Sequence, residues 1–187
     1  APERGPGWRL WFLWSLVGAL GWGWCMDTGF GEQPRVSMIP GLPDVSIPLP
    51  LSIVVGGIVV GTAHAFLLKR YFAAWKQWLL ASALASLLIA IVFVAVPGAD
   101  APRSVAAIAV SHGAIVGGCQ WWVLRSQVVT GSWWWVPAST VGWIVTIPLA
   151  DLMGPPGWAI FGAITGVLLV WLLRQHAPEP ATRRDLP

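Results

Sequence analysis

Six apolar runs, each about 16–22 residues long, constrain this chain more than any other feature, because each is near the length needed to cross a hydrocarbon core of ~30 Å. They fall at Leu10–Met26, Ile47–Leu68, Gln77–Val96, Val105–Leu124, Trp133–Ala150 and Trp158–Leu173. In lipid only helices and closed barrels satisfy every backbone amide. A barrel strand alternates apolar and polar residues over ~10 positions, and these runs do not alternate. The expected fold class is therefore an all-α integral membrane protein with six transmembrane helices. Composition agrees: 10% of the 187 residues are charged, against about 25% in a soluble domain. The same balance excludes a disordered chain, a disulfide scaffold and a nucleic-acid partner.

Proline marks the helix starts. Pro48 and Pro50 enter the second run and Pro155 and Pro156 precede the sixth, where a missing N–H does no harm. Pro137 and Pro148 lie within the fifth, which is expected to be bent or shortened. Charge sets direction. An even number of spans puts both termini on one side, and that side holds nine of the 11 Lys and Arg: Arg4, Arg9, Lys69, Arg70, Lys76, Arg125, Arg174, Arg183 and Arg184. Arg35 and Arg103 are on the other side with Asp27, Glu32, Asp44, Asp100 and Asp151. Both termini are accordingly expected in the cytoplasm. The domain reading is a cytoplasmic N-terminus at 1–9, a membrane domain at 10–174 with an outer loop at 27–46, and a cytoplasmic tail at 175–187.

The first run carries Trp11, Trp14, Trp22 and Trp24 and no small-residue cleavage pattern follows, so it reads as a retained span and not a signal peptide. The chain begins at Ala1 rather than Met, which leaves room for an upstream segment. Cys25 and Cys119 fall at different depths and are not expected to form a disulfide or a metal site. Small apolar filler is the reading for both.

An internal repeat organises the runs. The even ones read Gly57-x-x-x-Gly61-x-x-His64-x-x-x-Leu68-Lys69, Gly113-x-x-x-Gly117-x-x-Gln120-x-x-x-Leu124-Arg125 and Gly162-x-x-x-Gly166-x-x-Leu169-x-x-x-Leu173-Arg174. The odd ones carry Trp-x-x-x-Ser-x-x-small, as Trp11…Ser15…Gly18, Trp78…Ser82…Ala85 and Trp135…Ser139…Gly142. The unit is a two-helix hairpin used three times, over 10–70, 75–126 and 132–174. All three copies share one topology, unlike inverted transporter repeats. The paired glycines are expected to present flat strips to neighbouring helices. Ser15, Ser82 and Ser139 are expected to pack closely and return their hydroxyls to the preceding turn. The terminal cations and the Trp11, Trp78 and Trp135 level suit a headgroup interface. A lining for a central ligand is the competing use of the repeat.

The segment Gly113-x-x-x-Gly117-x-x-Gln120-Trp121-x-x-Leu124-Arg125, followed by Trp133–Trp135, resembles a group of small bacterial polytopic membrane proteins with repeated Gln-Trp-x-x-Leu-Arg hairpins. The resemblance spans roughly residues 56–174, with His64 and Leu169 standing where that pattern has Gln. It implies the hairpin fold and a bacterial inner (plasma) membrane, and no activity.

His64 takes the Gln120 position of its repeat. An ionisable side chain within a span is a functional candidate: neutral imidazole could ligate haem iron or the magnesium of a chlorophyll-type pigment, with glycines leaving room for a flat ring. The alternative is a hydrogen bond to a neighbouring helix, the task expected of Gln120. His112 lies about 10 Å away in depth at 1.5 Å per residue, which argues against one haem held by both and leaves two separate pigment ligands. His176 belongs to the polar tail. Asp27 and Asp151 read as helix-end residues, with a cation vestibule as the alternative. No Asp or Glu lies deep in a span, and no Ser/His/Asp order, phosphate loop or HExxH pattern occurs. The apolar Met38, Ile39, Leu42 and Val45 of the outer loop suggest folding over helix ends or docking on a partner.

Three function classes follow. The leading one is a non-enzymatic accessory or scaffold subunit of a membrane complex, with membrane lipids and other membrane subunits as partners. The second is a pigment- or haem-binding protein using His64 and His112. The third is a substrate-capturing transporter component, similar in length and span count to the binding subunits of energy-coupling-factor vitamin transporters.

Overall fold

In the computed structural model, residues 6–26, 35–36, 45–46, 49–71, 73–95, 102–127 and 130–175 are described. They form six α-helices: α1 Trp8–Met26, α2 Leu49–Leu68, α3 Trp75–Ala95, α4 Pro102–Leu124, α5 Trp135–Met153 and α6 Ala159–Gln175. Every end lies within three residues of the sequence expectation. Two short strands, β1 Arg35–Val36 and β2 Val45–Ser46, pair antiparallel with Arg35 opposite Ser46. The rest of the outer loop, both ends of the chain, Asp27 and His176 lie outside the described residues.

Five segments are long and apolar enough to cross a membrane: Pro50–Leu68, Trp75–Ala95, Ala106–Leu124, Ser132–Met153 and Pro156–Gln175. The 20 residues of α2 extend about 30 Å at 1.5 Å per residue, the thickness of the hydrocarbon core. α1 is 19 residues long but less apolar on a hydropathy scale, because Arg9 and five tryptophans replace aliphatic residues there. Neither proline shortens α5. Pro137 sits in its first turn, and the helix runs on beyond Pro148 to Met153.

The helices close into a ring in chain order: each packs on the next, and α6 returns to α1. Arg174 fastens the seam by donating from Nε to the Pro6 carbonyl at 2.8 Å. The tightest connection joins α5 to α6. Gly154, at φ +66°, ends α5 with a conformation that side chains strain to reach, and its N–H donates to the Ala150 carbonyl at 2.7 Å. Gly157 then lies so close to α5 that a Cβ there would stand 2.5 Å from Ala150 Cα.

The ring interior has two apolar layers. One gathers Trp14, Leu68, Trp78, Leu124, Trp135, Leu169 and Leu172. The other gathers Trp22, Ile53, Ile89, Trp143, Ile147, Trp158 and Phe161. Long aliphatic side chains such as Leu20, Leu80, Ile91 and Leu152 point outward, as expected for a surface that meets lipid rather than water.

Candidate functional site

Three tryptophans fill the centre of the first layer, one from each odd helix. The ring centroids of Trp14 and Trp78 are 5.6 Å apart, those of Trp78 and Trp135 5.5 Å, and those of Trp14 and Trp135 6.2 Å, all edge-to-face. That arrangement sets the positive ring edge against a negative face. The second layer repeats the device with Trp143, which meets Trp22 at 5.3 Å and Trp158 at 6.0 Å.

Between the two layers lies a belt of polar side chains around a cavity of about 20 Å³. Its lining includes His64, Ser82, Ser86 and Gln120, with Trp14 and Trp135 on one side and Trp22 and Trp143 on the other. A space of that size holds one water molecule.

The belt spends its hydrogen bonds on the tryptophans. Trp135 Nε1 donates to Gln120 Oε1 at 3.0 Å, and Gln120 Nε2 donates to Ser82 Oγ at 3.1 Å. Gln120 of α4 therefore ties α5 to α3 through the middle of the ring. Trp14 Nε1 donates to Thr165 Oγ1 at 3.1 Å, and Thr165 passes its own proton to the Phe161 carbonyl at 2.8 Å. His64 Nε2 lies 3.2 Å from the Trp14 carbonyl. A carbonyl only accepts, so this nitrogen carries the proton and the ring's lone pair is on Nδ1. The His64 ring also stacks on the Trp14 indole.

His112 is elsewhere. It is buried in the second layer, with its ring 4.8 Å from that of Trp143, and it does not line the cavity. The two histidines are thus not brought together. One face of the His64 ring is covered by Trp14, and the adjoining cavity is water-sized. Two open apolar grooves on the outside, between α5 and α6 and beside Pro50 and Ile91, are lined by neither histidine.

The six glycines of the Gly-x-x-x-Gly pairs all face helices. A Cβ on Gly57 would meet Ser86, and one on Gly61 would meet Ser82. On Gly113 it would meet the backbone of Thr140, and on Gly117 it would stand 2.9 Å from Val136 Cα. On Gly162 it would stand 2.6 Å from Ser15 Cα, and on Gly166 3.1 Å from Trp11. Each pair thus faces the odd helix that follows it around the ring: α3, α5 and α1.

The serines divide. Ser15 Oγ donates to its own Trp11 carbonyl at 2.9 Å, as expected of a hydroxyl returned to the preceding turn. Ser82 accepts from Gln120, and the returned hydroxyl on α3 is that of Ser86, to the Ser82 carbonyl. Ser139 is fully buried, and its Oγ has no hydrogen-bond partner among the described residues.

Sequence reasoning placed Trp11 with Trp78 and Trp135, but the central position in α1 belongs to Trp14. Trp11 is half-buried at the seam and donates to the Ala163 carbonyl at 3.0 Å. Thr165 and Ser86 were also missed. Thr165 carries a signal, being the polar residue one turn before Leu169, which stands where the spacing in α2 and α4 puts His64 and Gln120. Asp151 is exposed at the end of α5, and Cys119 is a free, half-buried thiol. No family model, no curated protein and no solved structure matches the chain.

Proposed function

We propose that this chain is a non-enzymatic accessory or scaffold subunit of a larger complex in a bacterial inner membrane, built as three two-helix hairpins spanning the bilayer six times with both termini cytoplasmic. The observation that carries the reading is the state of the interior. Its polar side chains tie indoles to neighbouring helices, and the cavity among them is about 20 Å³. An interior used in this way holds helices in place. Interaction is left to the outer surface, which is broad and apolar and exposes Trp122, Trp133, Trp134 and Trp171.

A sixth span is supported by the position of α1, between α2 and α6 in the ring and hydrogen-bonded to α6 at Trp11 and Trp14. The repeat is supported by the three glycine pairs, each set against the following odd helix. The orientation rests on the nine cations gathered at one side. A bacterial inner membrane is what the sequence resemblance to small proteins with Gln-Trp-x-x-Leu-Arg hairpins implies.

The test is purification from native membranes in a mild detergent, with subunit stoichiometry by mass spectrometry and an absorption spectrum. The expected product is a colourless particle containing another membrane subunit in fixed ratio. A solitary chain, or a visible absorption band, would overturn the proposal.

A further inference from the structure

We propose that the turn joining α2 to α3 binds the phosphate headgroup of an anionic phospholipid, held by Lys69, Arg70 and Lys76 around the indole of Trp75. α2 and α3 each contain a segment able to cross a membrane, so their short connection lies at the membrane edge whichever way the chain is oriented. Lys69 Nζ lies 5.5 Å and Lys76 Nζ 5.7 Å from the centroid of the Trp75 ring. Two ammonium groups therefore lie within 6 Å of one indole, with the exposed Arg70 beside Lys69 in the same turn. Cation–π attraction at a partly exposed ring is modest, and it does not remove the like charge of the two cations. Among the described residues the one carboxylate is Asp151, at the far end of α5. An anion bound at this turn supplies the missing charge, and a phosphodiester carries several oxygens with which ammonium and guanidinium groups pair.

The surroundings suit a lipid more than a free ion. Phe66 is exposed and packs against Trp75 with ring centroids 6.0 Å apart, which gives the glycerol and upper acyl carbons an apolar wall. The corresponding end of α4 differs. There a single cation, Arg125, lies over two indoles, 5.4 Å from Trp121 and 4.1 Å from Trp122, so charge does not accumulate.

Native mass spectrometry of the purified chain, offered equal amounts of phosphatidylglycerol and phosphatidylcholine, tests this. The chain is expected to retain one phosphatidylglycerol. Removing a cation near a membrane surface weakens anionic-lipid binding roughly fivefold, so Lys69→Ala with Lys76→Ala should lower retention about 30-fold. Lys69→Arg with Lys76→Arg should keep it, as should the distant Arg125→Ala. A thermal melt of each variant confirms that these surface changes leave the fold intact. Equal retention of both lipids, or an equal loss in Arg125→Ala, would overturn the proposal. So would full displacement of the lipid by millimolar inorganic phosphate, which would make the site one for a free anion.

Discussion

The imidazole of His64 lies flat on the indole of Trp14, with ring centroids 3.6 Å apart and planes 5° from parallel. One residue thus joins α2 to α1 twice, by its face to the Trp14 ring and by Nε2 to the Trp14 carbonyl. On this account His64 is a structural clamp at the edge of the polar belt.

Substitutions at His64 should separate the two contacts. His64→Phe keeps a flat ring and loses the hydrogen bond, an expected cost of about 0.6 kcal/mol for a polar contact between membrane helices. His64→Gln keeps a donor and loses the ring, an expected cost of about 0.5–1.5 kcal/mol. His64→Leu loses both and should be the least stable. Thermal melts in detergent check the order; a Leu variant as stable as wild type would remove the clamp.

Gln120 should couple to Trp135. Gln120→Leu leaves the buried Trp135 Nε1 without its acceptor, and the expected loss is about 0.6–1.7 kcal/mol. In the background of Trp135→Phe the same change should cost clearly less, because the orphaned donor is gone. A double-mutant cycle of unfolding free energies measures the difference, and additive costs would show that the hydrogen bond does not matter.

Adjacent glycines should respond in opposite directions. A Cβ at position 117 meets the backbone of Val136, whereas at Gly118 nothing stands within 4 Å. Gly117→Ala should therefore overpack the α4–α5 interface and destabilise by about 1–3 kcal/mol. Gly118→Ala should be neutral or stabilise by about 0.5–1 kcal/mol through helix propensity. Equal melting temperatures for the two variants would contradict the packing assigned to the glycine strip.

What the sequence disclosed follows from the reach of each signal. The helices were legible because an apolar run of span length has few alternatives, and α1 was legible despite its tryptophans because apolar residues filled the gaps between them. The glycine pairs stand out in the sequence because their spacing is local, and a Cβ on each would meet a neighbouring helix. The centre of the ring was not. Trp11 and Trp14 are three residues apart and so share a helix face, and the Ser15 match fixed the register on the outer of the two. The His64–Trp14 stack and the Gln120 bridge join residues from different helices. Nothing local in α2 or α4 states which indole each will meet.

Orientation is open to chemical labelling. In a background with Cys25 and Cys119 replaced, a cysteine at position 37 should react with an impermeant thiol reagent from outside intact cells, and one at position 182 should be protected until the membrane is opened. The reverse pattern would invert the topology read from the cations.

The closure of six helices into one ring is the premise on which the packed interior depends, and α1 is its critical member. Trp11 and Ala163 touch across the α1–α6 seam. With both replaced by cysteine in the same cysteine-free background, a short bifunctional thiol reagent applied to native membranes should link α1 to α6 within one chain. The control pairs Trp11→Cys with Leu80→Cys on the outward face of α3 and should give no link. An efficient 11–163 link with a silent 11–80 pair is the predicted result. Failure of the 11–163 link, or equal linking of both pairs, would contradict the closed ring and the account built on it.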